Sequence, residues 1–124
     1  MIHLGTYLKL MDNSGVKELQ CIRIMNSSKR KPAKIGDSLL VSVQSSVFKE
    51  RSTIKKGKIF EAILLQTKKS KSRKAGDSYL LEKNVAILMN TNGIPIPTRY
   101  LGSLPYEIRK RGLIKLLSIG KFVY

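Results

Sequence analysis

Short apolar runs separated by Gly, Ser and Lys clusters divide this chain, and within most runs the apolar residues recur at every second position, as in half-buried strands. The stretch from Leu4 to Met11 puts Leu4, Thr6, Leu8 and Leu10 on one face. Asp12-Asn13-Ser14-Gly15 then supplies turn chemistry before a second strand from about Lys17 to Met25. Ile35-Gly36-Asp37 leads into a third, in which Leu39, Val41 and Val43 alternate with Ser38, Ser42 and Gln44, and only Leu40 breaks the outer face. A fourth strand is expected from Ile59 to Gln66 and a fifth within Tyr79 to Asn90. In the last, Val85-Ala86-Ile87-Leu88-Met89 has no polar face and should be covered on both sides. The pattern predicts a mainly β fold, a small closed five-stranded antiparallel β-barrel.

The texture changes after Asn90. Asn92-Gly93 and the prolines Pro95 and Pro97 make an irregular crossing segment that cannot continue a central strand, so the sheet is expected to end there. From Ser103 to Arg111, Pro105 suits a first turn, Glu107 the positive helix end, Arg109 to Arg111 the negative end, and Gly112 a stop. Leu113, Leu116 and Leu117 suggest one or two further turns, giving short C-terminal helices. The expected organisation is one domain over residues 1–124, with the barrel in 1–90 and the crossing and helical segment in 91–124.

Composition narrows the function. Against 8 acidic residues stand 24 Lys and Arg, a formal charge of +16 that a small domain has little reason to carry without a polyanionic partner. An apolar fraction of 42% excludes a wholly disordered basic tail. No run approaches the roughly 18 apolar residues of a membrane span, and no long basic amphipathic helix is present, so nucleic acid is favoured over a membrane surface. The single cysteine, Cys21, lies among Leu19, Ile22 and Ile24 and reads as a buried thiol in a reducing compartment. Met1 to Leu10 already read as strand, so no cleavable presequence is expected within the chain, which either acts where it is made or is a mature form.

Catalytic chemistry finds little support. One Cys and one His, His3, eighteen residues apart, do not make a metal site, and His3 has no nucleophile beside it. Asp12, Asp37 and Asp77 are the only candidates for a magnesium-dependent RNA hydrolase, yet each stands at a predicted turn where backbone hydrogen bonding explains it. No GxxxxGK[ST] loop is present, so no cofactor, metal or catalytic residue is expected, and the chain does not read as an enzyme.

The basic residues fall in islands between strands: Lys29-Arg30-Lys31 with Lys34; Lys49, Arg51, Lys55, Lys56 and Lys58; Lys68, Lys69, Lys71, Arg73 and Lys74; and Arg109-Lys110-Arg111. One such run is as easily a solvated loop as an RNA contact, but four together favour RNA. Five charges within seven residues of the third island should repel one another unless phosphates lie between them. In an up-and-down meander alternate loops share an end, so the first and third islands should form one cationic lip and the second should lie opposite. With three Phe, five Tyr and no Trp, base stacking is weakly provided for, and recognition should be of backbone and shape. A free single-strand-binding barrel is the alternative binding module.

Met1-Ile2, Asp12-Asn13-Ser14-Gly15, Cys21-Ile22-Arg23, Gly36-Asp37, Lys55-Lys56-Gly57, Thr67-Lys68-Lys69, Asn84, Thr98-Arg99 with Gly102, and Glu107 with Arg109 follow one another in a specific order and spacing. Through them the whole chain resembles protein fourteen of the large ribosomal subunit, a universal family. Ala75-Gly76, Pro97, Ser103 and the ending Gly120-Lys121-Phe122-Val123-Tyr124 depart from that pattern. The resemblance implies a five-stranded barrel with short C-terminal helices, and an rRNA-binding set that joins Arg23 and Arg99 to the four islands. It further implies large-subunit rRNA, neighbouring proteins three and nineteen, small-subunit rRNA at an intersubunit bridge, and a ribosome-silencing factor as partners. The excess of Lys over Arg and the richness in Ile, Asn and Ser suggest an AT-biased genome. An organelle-type member in the mitochondrion is the first expectation, with plastid and bacterial cytoplasm as alternatives.

Overall fold

The computed structural model describes residues 2–13, 15–25, 32–46, 54, 56–68, 71–72, 76, 78–79 and 83–123. Strands β1 (Tyr7–Lys9), β2 (Val16–Ile24), β3 (Ser38–Ser46) and β4 (Ile59–Gln66) follow in order. Next, β5 (Lys71–Ser72) and β6 (Ser78–Tyr79) make a small antiparallel ribbon, and β7 (Val85–Met89) closes the barrel in the order β1-β2-β3-β4-β7. Four seams are antiparallel and the β1–β7 seam is parallel, with Lys9 opposite Val85. The parallel seam is a geometric necessity, because the first and last strands of a five-stranded meander run the same way.

Alternation along the strands becomes inside and outside. Leu8, Leu19, Cys21, Leu39, Val41, Val43, Ala62, Leu64, Ala86 and Leu88 fill the interior, joined by Ile2, Val16, Ala33 and Ile54. The opposite faces of β4 and β7 are apolar as well: Ile63, Leu65, Val85, Ile87 and Met89 form a second core with Tyr100, Leu104, Ile108 and Leu116. This outer core is why the Val85–Met89 run has no polar face, as its composition predicts.

The first strand is shorter than expected. Leu4 and Gly5 form a turn in which Gly5 takes φ +85° and Leu4 is exposed, so pairing is confined to Tyr7–Lys9. Beyond the barrel, β8 (Tyr100–Leu104), α1 (Tyr106–Lys110), α2 (Ile114–Ile119) and β9 (Gly120–Val123) cover the outer core. The expected helix over Ser103–Arg111 therefore begins later. Leu104 precedes a proline, which disfavours helical backbone, and Pro105 itself is an extended N-cap. Strand structure also continues past Asn90, because β8 and β9 pair in parallel as a separate two-stranded sheet. Two glycines permit this packing: a Cβ on Gly102 would meet the Tyr100 hydroxyl at 2.6 Å, and one on Gly120 would collide with the Leu104 side chain. Buried Gln66, at the end of β4, donates through Nε2 to the Ser103 carbonyl (2.7 Å) and the Tyr100 hydroxyl (3.2 Å), fixing β8 to the barrel.

Candidate nucleic-acid interface

Strands β2 and β4 run in the same direction, so the connections that follow them leave from one end of the barrel, and the β3–β4 connection leaves from the other. Exposed Arg23, near the end of β2, and exposed Lys34 and Lys68 belong to the first end. Lys71 is placed by its backbone in β5. Lys29, Arg30, Lys31, Lys69, Arg73 and Lys74 lie outside the described residues, as do Lys49, Arg51 and Lys55 of the second island.

The fourth island joins this end through an ion pair that the sequence did not reveal. The Asp37 carboxylate accepts the Lys34 backbone N–H at 2.8 Å through Oδ2 and lies 2.7 Å from Arg111 Nη1 through Oδ1. Gly36, at φ +90° and donating to the Leu64 carbonyl at 2.7 Å, leaves room for the Arg111 stem, which a Cβ there would strike at 2.7 Å. The end of α1, with exposed Arg109 and Lys110, is thereby held against the turn that follows the first island. Lys110 Nζ stands 5.5 Å from the centroid of the Tyr106 ring.

At the opposite end Lys56 and Lys58 are exposed, and Lys58 Nζ lies 5.3 Å from the Phe60 centroid. The segment is tied to β3 by Gly57 N–H to the Val43 carbonyl (2.8 Å) and Val43 N–H to the Lys58 carbonyl (3.0 Å). Arg99 sits at the β1–β2 turn rather than with the lip. Asn13 Oδ1 accepts the backbone N–H groups of Thr98 (3.2 Å) and Arg99 (3.4 Å), while its Nδ2 donates to Thr98 Oγ1 at 2.7 Å.

Among the described residues the groups considered for catalysis do not gather. Asp12 bridges to Tyr100 through the backbone, Asp37 is engaged as above, and Asp77 lies outside the described residues. His3 is an exposed turn residue whose backbone N–H donates to Thr6 Oγ1 at 3.1 Å. Among the described residues no three of His, Cys, Asp or Glu gather as metal ligands, and no helix is long and apolar enough to cross a membrane. Cys21 is buried, and burial pushes its thiol above the ordinary value, a hydrogen bond with the Arg23 backbone partly opposing the shift.

Two lysines outside every island, Lys9 and Lys83, meet Lys68 of the third island at the seam that closes the barrel. Tyr7, Lys9, Lys68, Lys83 and Asn84 line a cavity of about 260 Å³ at the β1–β7 seam. The signal was present in part, since alternation around inward Leu8 sends Tyr7 and Lys9 outward, but Lys83 joins them only through the closure of the barrel.

A closed five-stranded barrel with described cations at both ends defines a small basic β-barrel protein. The family model described as Ribosomal protein L14p/L23e matches residues 1–124, and the chain belongs to this family of structural proteins of the large ribosomal subunit.

Proposed function

We propose that the chain binds large-subunit rRNA through both ends of its barrel and acts as a structural joint between RNA segments, with no catalytic role. The observation that carries this reading is the match of the whole chain to a large-subunit ribosomal family, in a molecule of charge +16. The proposed contacts are Arg23, the four islands and Arg99. Residues 1–124 act as one unit in this reading, since the outer core packs the C-terminal segment onto β4 and β7. Family membership also supports contacts with large-subunit proteins three and nineteen, with small-subunit rRNA at an intersubunit bridge, and with a ribosome-silencing factor. The lysine-rich, arginine-poor composition supports an AT-biased genome, with a mitochondrial ribosome as the first reading and a plastid or bacterial one as alternatives.

The free single-strand binder is disfavoured by the placement of aromatics. Among the described residues the large exposed aromatics are Tyr7 and Tyr106, on the separate elements β1 and α1, not a row along one strand face. Sedimentation separates the readings: the chain should remain with the large subunit through a high-salt wash, whereas a free binder would stay at the top of the gradient.

A further inference from the structure

Three lysines from separate parts of the chain share the concavity at the parallel seam. Lys9 is the last residue of β1, Lys68 follows β4, and Lys83 precedes β7. Asn84 organises two of them: its carbonyl accepts the Lys9 N–H at 2.9 Å, and its Oδ1 accepts the Lys68 N–H at 2.9 Å. Among the described residues no carboxylate lines the cavity, and Glu18 pairs across from Lys9. Three ammonium groups around one hollow repel one another unless an anion lies between them. The hollow, at about 260 Å³, is far larger than the roughly 30 Å³ that a water occupies. The Tyr7 ring on its wall is 54% exposed, an aromatic face beside the cations.

We infer that this concavity is an RNA backbone clasp, in which Lys9, Lys68 and Lys83 hold phosphates of one strand while a base or ribose rests on Tyr7. The inference rests on the rRNA-binding reading and joins Lys68 of the third island to two lysines outside the islands, Lys9 and Lys83. Lysine ammoniums suit phosphates as mobile point charges, and the phenol supplies sequence-tolerant stacking. Asn84 is a positioning residue that sets Lys9 and Lys68 at the rim.

The test uses the full chain carrying Tyr7→Trp, which gives it a single tryptophan reporter, with decauridylate and inorganic phosphate as probes. Decauridylate should quench the reporter and inorganic phosphate should not. Adding Lys9→Gln and Lys83→Gln should remove most of the quenching, leave the far-ultraviolet circular dichroism unchanged, and flatten the slope of log affinity against log salt by about 1.4, or about 0.7 per lost single-strand contact. Absence of quenching by decauridylate, equal quenching by inorganic phosphate, or an unchanged slope in the double-Gln chain overturns the clasp. Cosedimentation of the unaltered chain with the large subunit is scored separately, so the clasp can fail while the rRNA-binding reading stands.

Discussion

Arg111 and Asp37, 74 positions apart, form an ion pair at 2.7 Å that locks the end of α1 to the turn preceding β3. The pair does more than join charges. Asp37 also caps the Lys34 N–H, and the Arg111 stem lies in the space left by Gly36, so turn, glycine and helix end form one joint. Asp37 is 19% exposed and Arg111 45%, so solvent screens the attraction, and loss of the ion pair alone should cost no more than about 1 kcal/mol. Gly36→Ala should cost more, since it imposes φ +90° on an L residue and displaces the arginine. The two causes are separable by urea midpoints. In an Arg111→Ala background the penalty of Gly36→Ala should shrink to its backbone part. Strict additivity of the two substitutions would show that the arginine does not pack there.

The interior should reject charge. Cys21 and Val41 are partners across the β2–β3 seam and are buried within the barrel. An aspartate at either place would be a buried charge without a partner, and Cys21→Asp or Val41→Asp should prevent soluble folding. Soluble, cooperative unfolding of both variants would contradict the registers described above.

Cys21 also sets a pH dependence. Burial raises the folded-state pKa of its thiol above the ordinary value of 9.0, so over the interval between the two values the unfolded chain releases the proton and the folded chain retains it. Stability from this group is complete below pH 9.0 and declines as the pH rises from there through the folded value. Cys21→Ala should abolish that component of the alkaline decline in urea midpoints. A thiol reagent should react slowly with the native chain and fast in urea. Rapid reaction without denaturant would mean that the barrel opens readily at β2.

The outer core carries a third consequence. Leu116 of α2 is fully buried with Ile108, Leu104 and the outward residues of β4 and β7. Leu116→Ser removes most of that side chain and places a hydroxyl in its cavity, which should cost roughly 2 to 5 kcal/mol, comparable to large-to-small core substitutions. Because Arg109 to Arg111 immediately precede α2 in the same C-terminal segment, the variant should also enter large subunits poorly. A variant that kept both its melting temperature and its incorporation would refute the docking.

These relationships divide into what local pattern could disclose and what only tertiary closure creates. Alternation placed Leu39, Val41 and Val43 inside, and the all-apolar Val85–Met89 run signalled a strand covered on both faces. Ile59 to Gln66 was delimited by its own composition. Leu4, by contrast, has the period of a strand but precedes a glycine with positive φ, and backbone conformation overrode periodicity. The β8–β9 pairing was hidden because a parallel partner about twenty residues away leaves no local signature, and the proline rule that ended the barrel said nothing of a second sheet. In the site, the sharing of one end by Lys34 and Lys68 follows from strand alternation. The arrival of Arg111 there depends on the path of β8 and α1 across the outer core, and Lys83 meets Lys9 only at the seam that closes the barrel.

The cationic lip yields the last prediction. Changing Lys68, Lys69, Lys71, Arg73 and Lys74 together to Gln should leave the fold intact, because the segment follows β4 and loop-tip side chains contribute little to a core. RNA affinity should fall, and each lost phosphate contact should flatten the slope of log affinity against log salt by about 0.7 to 0.9, so three real contacts would remove roughly two units or more. Sequence preference should barely move, since phosphate contacts position without reading bases. The same treatment of Lys29, Arg30, Lys31 and Lys34 should be non-additive with the first set if both line one RNA groove, and additive if they face separate helices. Arg111→Ala offers a finer probe of the same end, because it frees Asp37 and removes one cation from the joint. Its slope should change by no more than about one contact, against several for the five-residue variant. An unchanged slope in the five-residue variant would reduce that charge run to a solvated loop and leave RNA binding to the remaining cations.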